Sequence, residues 1–144
     1  QSELPLALKE GILEKAGPMY QFTHDLILQT IYSLIPPNNR ALLHKTIGKS
    51  LVESPFNKNP AIHLLATEQI NLFCKDGNPS AEECSQFAQI NATAAKLAIS
   101  SSSFERARSY TDMGIRLLGA HHWETHYSLS LDLFEMSASV SWMQ

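Results

Sequence analysis

Four short breaks divide this chain, and between them apolar residues recur at intervals of three and four. The breaks are Pro36-Pro37, "SPFNKNP" from Ser54, "KDGNP" from Lys75 and "SSSFE" from Ser101. Apolar residues three and four apart share one face of an α-helix. Loops this short make successive helices antiparallel neighbours. The spacing therefore predicts an all-α fold over most of the length.

The N-terminal part reads differently. "ELPLALKEG" is a short helix, with Pro5 in its first turn and Gly11 at its stop. "ILEKAGPMYQF" then carries two short runs, 12–15 and 19–22, around Ala16-Gly17-Pro18, which is a β-hairpin signal. A helix followed by a small hairpin is the tail of a winged-helix arrangement. The helical period resumes after Thr23, a candidate N-cap, with Leu28, Ile31, Tyr32 and Ile35 on one stripe. Proline disfavours helical backbone in the residue before it, so Pro36-Pro37 ends this helix.

Asn38 or Asn39 is expected to cap the next helix, which runs to about Glu53 with Leu43, Ile47 and Leu51 as its stripe. Asn59-Pro60 opens another, with Ile62, Leu65, Ile70 and Phe73 inward. Ser80 with Glu83, and Ser102 with Glu105, have the spacing of capping boxes. The first opens an Ala-rich helix to about Ser100, and the second a helix closed at Leu118 by Gly119. A last helix starts near His121 or His122, with Tyr127, Leu131 and Phe134 as its seam. Ala88, Ser100, Phe104 and Ala107 follow the small-aromatic-small pattern of a tetratricopeptide-like hairpin. Residues 1–54 are thus expected to be the C-terminal part of a winged-helix-like subdomain with its following helices. Residues 55–144 are expected to be a tetratricopeptide-like array of antiparallel α-α hairpins. The chain reads as a segment of a longer polypeptide.

Bulk properties narrow the function. With 11 Lys and Arg against 14 Asp and Glu, the net charge is -3. That leaves no basic excess to neutralise a phosphate backbone, which argues against nucleic acid as a partner. Apolar runs are too short to span a membrane. Cys74 and Cys84 do not form a disulfide scaffold or a metal knuckle, and a cytoplasmic, reducing location fits.

Several motifs invite chemistry. Gly48-Lys49-Ser50 matches the end of a phosphate-binding loop, but position 43 is Leu rather than the required Gly, and the tripeptide falls inside a helix. Gly48 is then a close-packing position and Lys49 a solvated one. His122 and His126 share a helix face at i and i+4, yet no further ligand completes a zinc set, so no metal is expected. Asn91-Ala92-Thr93 matches a glycosylation pattern within a helix. His44 is expected to be partly buried and hydrogen-bonded to a neighbour. His24-Asp25 sits where the hairpin meets the next helix, and is open to reading as a cap, a catalytic dyad or a ligand sensor. A first-turn acid such as Asp25 is favoured by the helix dipole alone, whereas His24 is not. No third catalytic group can be placed beside them, and no catalytic residue is assigned.

A family likeness runs through most of these residues. Gly11-Ile12, Tyr20-x-Phe22-x-His24-Asp25, Gln29, Tyr32 to Pro36, Arg40 and His44-x-x-Ile47-Gly48-x-x-Leu51 carry it in the first part. Asn91, Ala94, Lys96 to Ala98, Ala107, Tyr110, Leu117-Leu118, Trp123 and Tyr127 carry it in the second. Together they resemble the region that follows the ATPase core in STAND-class signalling ATPases of multidomain Ser/Thr kinases and sensor histidine kinases. The resemblance implies a non-catalytic regulatory segment that links nucleotide state to a downstream kinase or other output domain. It implies that His24 reaches a nucleotide phosphate in the closed, ADP-bound state, and that Asp25 braces it or caps the helix. ATP or ADP would be bound by the parent protein rather than by this segment. The partners implied are the upstream ATPase core, the downstream signalling domains and proteins docking on the helical array. Phe22-Thr23 departs from the family's Met-like approach to the His-Asp pair. The alternative is a plain helical scaffold for protein contacts, in which His24 and Asp25 are structural.

Overall fold

A computed structural model describes residues 3–143. Among these the elements are eight helices and one two-stranded antiparallel hairpin, an all-α fold with a small β-hairpin. Packing divides the chain into two compact units, between Arg40 and Ala41. Ala41 and Gly48 are buried against the helices that follow them.

In the first unit, α1 (Leu4–Lys9) carries proline in its first turn, and Gly11 beyond its end has φ +69°. β1 (Leu13–Ala16) and β2 (Met19–Phe22) pair with Leu13 opposite Phe22 and Ala16 opposite Met19. Gly17, at φ +64°, takes the first turn position, and the ring of Pro18 suits the negative φ of the second. α2 (Asp25–Leu34) ends at Ile35, whose extended backbone precedes Pro36. Arg40 ties off that end. Its Nε donates to the Ile35 carbonyl at 2.7 Å, a terminal nitrogen donates to the Ser33 carbonyl at 2.8 Å, and the guanidinium lies 5.0 Å from the centre of the Tyr32 ring. No described residue of this unit is buried, and Leu34 of α2 is 77% exposed.

Thr23 does not cap α2. Its hydroxyl donates to the Gly11 carbonyl at 2.7 Å, and its amide donates to the Ile12 carbonyl at 3.2 Å. The end of β2 lies against the turn after α1, so the threonine is used there. The cap position passes to His24, in extended backbone, with no side-chain cap bond.

In the second unit, helices pack side by side in antiparallel pairs. α3 (Pro37–Glu53) begins at Pro37, where a missing amide costs nothing. The Pro36 carbonyl accepts from the amides of Asn39 and Arg40, so Asn38 and Asn39 lie in the first turn rather than at the cap. The inward side of α3 is Ala41 and Gly48, while the expected stripe residues Leu43 and Ile47 are exposed. The reason is close approach to α4 (Pro60–Asp76). A Cβ on Gly48 would sit 2.7 Å from Ile70 Cγ1 and 3.2 Å from the Ala66 carbonyl oxygen. On α4, Ile70 and Phe73 are buried as expected, and Leu65 is exposed. Asn59 caps this helix by accepting from the Ala61 amide at 2.9 Å.

α5 (Ala81–Ser100) opens with the Ser80–Glu83 capping box, both bonds present at 3.2 Å. It buries Phe87, Asn91 and five alanines. Ala94, Ala95 and Ala98 share one core with Ala107 and Tyr110 of α6 (Phe104–Leu118) and with Val140. Phe87 joins Ala41, Ile70 and Phe73 in another, with the two phenyl rings edge to face at 6.3 Å. Gly119 at φ +70° ends α6 as expected. The Ser102–Glu105 capping box does not form. Ser102 adopts φ +56° and ends α5, with the Ser103 amide reaching back to the Ala98 carbonyl at 2.8 Å. Ser103 takes the N-cap position of α6, with no side-chain bond.

The last helix is broken. α7 (His122–Thr125) stops at His126, whose amide donates to the His122 carbonyl at 2.8 Å, and α8 (Tyr127–Trp142) restarts there. The buried side of α8 is Ser130, Leu133 and Val140, whereas Tyr127, Leu131 and Phe134 face outward. Both sides are apolar, so periodicity fits either. The choice is made by Gly114 of α6, where a Cβ would sit 2.8 Å from Leu133 Cδ2.

Asn71 of α4 and Asn91 of α5 are both buried and bond reciprocally, each amide nitrogen to the other's carbonyl oxygen at 2.8 and 2.9 Å. Replacing Asn91 by Ala strands the Asn71 carboxamide, and denaturant titration should show a loss of about 2 kcal/mol. The double change Asn71→Leu/Asn91→Leu removes both polar groups and should be less destabilising than Asn91→Ala. Ser102→Gly should raise stability by about 1 kcal/mol, because glycine carries no Cβ penalty at positive φ.

Candidate functional site

The His24–Asp25 junction is held from one side and open on the other. Thr23 ties the preceding residue to the turn after α1, through its hydroxyl and its amide. Asp25 is the first residue of α2, and both His24 and Asp25 are exposed. The carboxylate lies at the positive end of the helix dipole, where the His24 carbonyl accepts from the amides of Ile27 and Leu28 and the two amides before them precede the first helical acceptor. The fold does not bring a third titratable group to the pair through any hydrogen bond found among the described residues.

The other motifs resolve structurally. Gly48 and Lys49 lie in mid-helix, and Lys49 is paired with Glu83 at 3.1 Å rather than simply solvated. His44 is half-buried, with Nδ1 2.7 Å from Gln69 Oε1, as expected. Asn91 is fully buried, so the glycosylation pattern is closed to modification in the folded chain. His122 and His126 do not share one continuous helix, since His126 is the break between α7 and α8. Nδ1 of His122 lies 2.9 Å from Ser130 Oγ, and its ring stacks on Phe134. Among the described residues no cluster of three or more His, Cys, Asp or Glu side chains could hold a metal ion. No helix among them is long and apolar enough to cross a membrane. Cys74 and Cys84 are free thiols, and burial, followed by the neighbouring Cys84, pushes Cys74 up to about 11.

A groove of about 770 Å³ opens within the second unit, a feature that residue spacing alone does not reveal. Val52 of α3, Gln86 and Gln89 of α5, and His126, Tyr127 and Asp132 at the start of α8 line it. Gln86 and Gln89 are three apart and so share one face of α5. The only trace in sequence is that these polar residues lie off the alanine face of α5. Two carboxamides in an open groove offer both donors and acceptors, which is what the main chain of an extended peptide requires.

Next to the groove, Glu83 locks α3 to the start of α5. Lys45 approaches it at 2.7 Å and Lys49 at 3.1 Å, while its side chain is only 15% exposed. The hydrogen bond from Lys45, with help from the Ser80 amide and Lys49, outweighs desolvation and holds the Glu83 carboxyl down to about 2. A carboxyl with a depressed folded value contributes stability that is complete above its unfolded value near 4.5 and lost as pH falls towards 2. Glu83→Gln should therefore cost about 1–2 kcal/mol at about pH 6 and progressively less below about pH 4, measured by denaturant titration at each pH. Elsewhere in this unit, Glu68 of α4 holds Arg106 of α6, and the Tyr110 hydroxyl joins them at 3.2 Å from Arg106.

Comparison with known proteins finds no matching family model, curated protein or solved structure.

Proposed function

We propose that this chain is a non-catalytic coupling segment of a large STAND-type signalling ATPase, which passes the nucleotide state of an ATPase core to a downstream kinase or other output domain in the cytoplasm. The observation that supports this most is the presentation of His24. Its backbone is positioned by the bonds of Thr23 to the turn after α1, and its ring is exposed at the start of α2. A histidine spent on capping or packing would not be left in this way. The residues present fit a phosphate contact, because an exposed imidazole and the first two amides of α2, which precede its first helical acceptor, both favour an anion. In this reading ATP or ADP is held by the ATPase core, His24 contacts a phosphate in the ADP-bound state, and Asp25 braces the helix start. The lack of any buried residue among the described residues of the first unit agrees with its being the tail of a larger winged-helix subdomain, which would supply the core. The helical array then transmits the state through packing and protein contacts.

The groove lined by Gln86, Gln89 and Tyr127 favours a second reading, a tetratricopeptide-like scaffold that binds an extended peptide and senses no nucleotide. One substitution separates the two. In the full-length protein His24→Ala should change nucleotide retention or output about tenfold or more, the range of an ordinary allosteric coupling, without altering thermal unfolding. Unchanged nucleotide exchange and unchanged output would leave only the scaffold reading.

A further inference from the structure

We infer that the outward face of α7 and α8 docks a basic amphipathic helix. α8 buries one side and leaves a second apolar stripe in solvent: Tyr127 is 63% exposed, Leu131 38% and Phe134 39%. Spacings of four and three keep these residues on one line. Trp123 of α7 extends the line, its ring stacked on Phe134 at 5.3 Å and meeting Tyr127 at 5.9 Å. His122 stacks on the same phenyl ring at 5.6 Å, and Ser130 holds its Nδ1. The ridge is therefore an ordered aromatic surface rather than scattered exposed side chains, the composition found at the energetic centres of protein interfaces.

Charge decides the partner. From Leu117 to the last residue there are three acids, Glu124, Asp132 and Glu135, and no Lys or Arg. Lys96 of α5 pairs with Asp132 at 2.9 Å. Glu124 and Glu135 are exposed beside the ridge, and His121 Nδ1 lies 3.9 Å from a Glu124 carboxylate oxygen. An apolar stripe rimmed by carboxylates complements a stripe flanked by Lys or Arg, and the faces of Trp123 and Tyr127 accept the same cations. An apolar stripe spaced at three and four along α8 fits the groove of another helix, and α6 already packs on the buried side of α8. The inference rests on reading the array as a protein-contact surface. It is independent of His24, so a null result for His24→Ala leaves it standing.

The test uses two synthetic amphipathic helices with the same leucine stripe, one flanked by Lys and one by Glu, titrated against the full chain by fluorescence anisotropy. The Lys peptide should bind about tenfold or more tightly than the Glu peptide, as complementary rim charges imply. Leu131→Asp should abolish the binding. Glu124→Lys/Glu135→Lys changes only exposed groups and should reverse the preference, so the proposal can be judged even if Leu131→Asp misfolds. Equal binding of both peptides, or a preference untouched by the double charge reversal, overturns the proposal. Concentration-dependent self-association that Leu131→Asp removes, with no peptide bound, overturns it in favour of a second copy as the occupant.

Discussion

The reciprocal Asn71–Asn91 bond sets the register of the second unit. The alanines of α5 let neighbouring helices approach closely, but alanine faces are smooth and permit sliding. A buried carboxamide that slips by one turn loses its partner and leaves two polar groups unpaired, at about 1–3 kcal/mol each. With α4 and α5 fixed in this way, Phe73 meets Phe87, and Glu83 falls where Lys45 and Lys49 can reach it. Gly48 and Gly114 extend the close packing outward, one receiving Ile70 and the other Leu133. α5 is thus the axis against which α3, α4, α6 and α8 find their places.

Local physical signals were legible in the sequence. The hairpin at Gly17-Pro18, the Ser80–Glu83 box, the Asn59 cap and the stop at Gly119 depend on a few adjacent residues, and the chain adopts each as spaced. Which face turns inward was less legible. On α3 and α8 two apolar stripes compete, and the contact side is chosen by glycines that carry no hydrophobic signal. Ser102 misleads for a related reason: a three-residue link demands positive φ, so a residue that looks like a cap is spent as a terminator. Thr23 is likewise claimed by a turn twelve residues earlier. The groove joins Val52, Gln86 and His126 from three separate stretches, so no local pattern announces it.

The candidate functional features divide between the units. The first presents His24 and Asp25 at a junction tied by Thr23, with most apolar side chains of α2 exposed and no described residue buried. The second carries a groove that suits a peptide main chain and an aromatic ridge with an acidic rim. The proposed coupling role would need both kinds of feature: an input residue left available, and a firm body that presents contact surfaces. The alanine core, the buried amide pair and the Glu83 lock provide the firmness.

Native-state hydrogen exchange reads this organisation most directly. If α5 is the axis, the amides around Asn91 exchange only through global unfolding and are the slowest in the chain, while those of α2 exchange through small local openings. Protection of α2 equal to that of α5, or rapid exchange around Asn91, would contradict it.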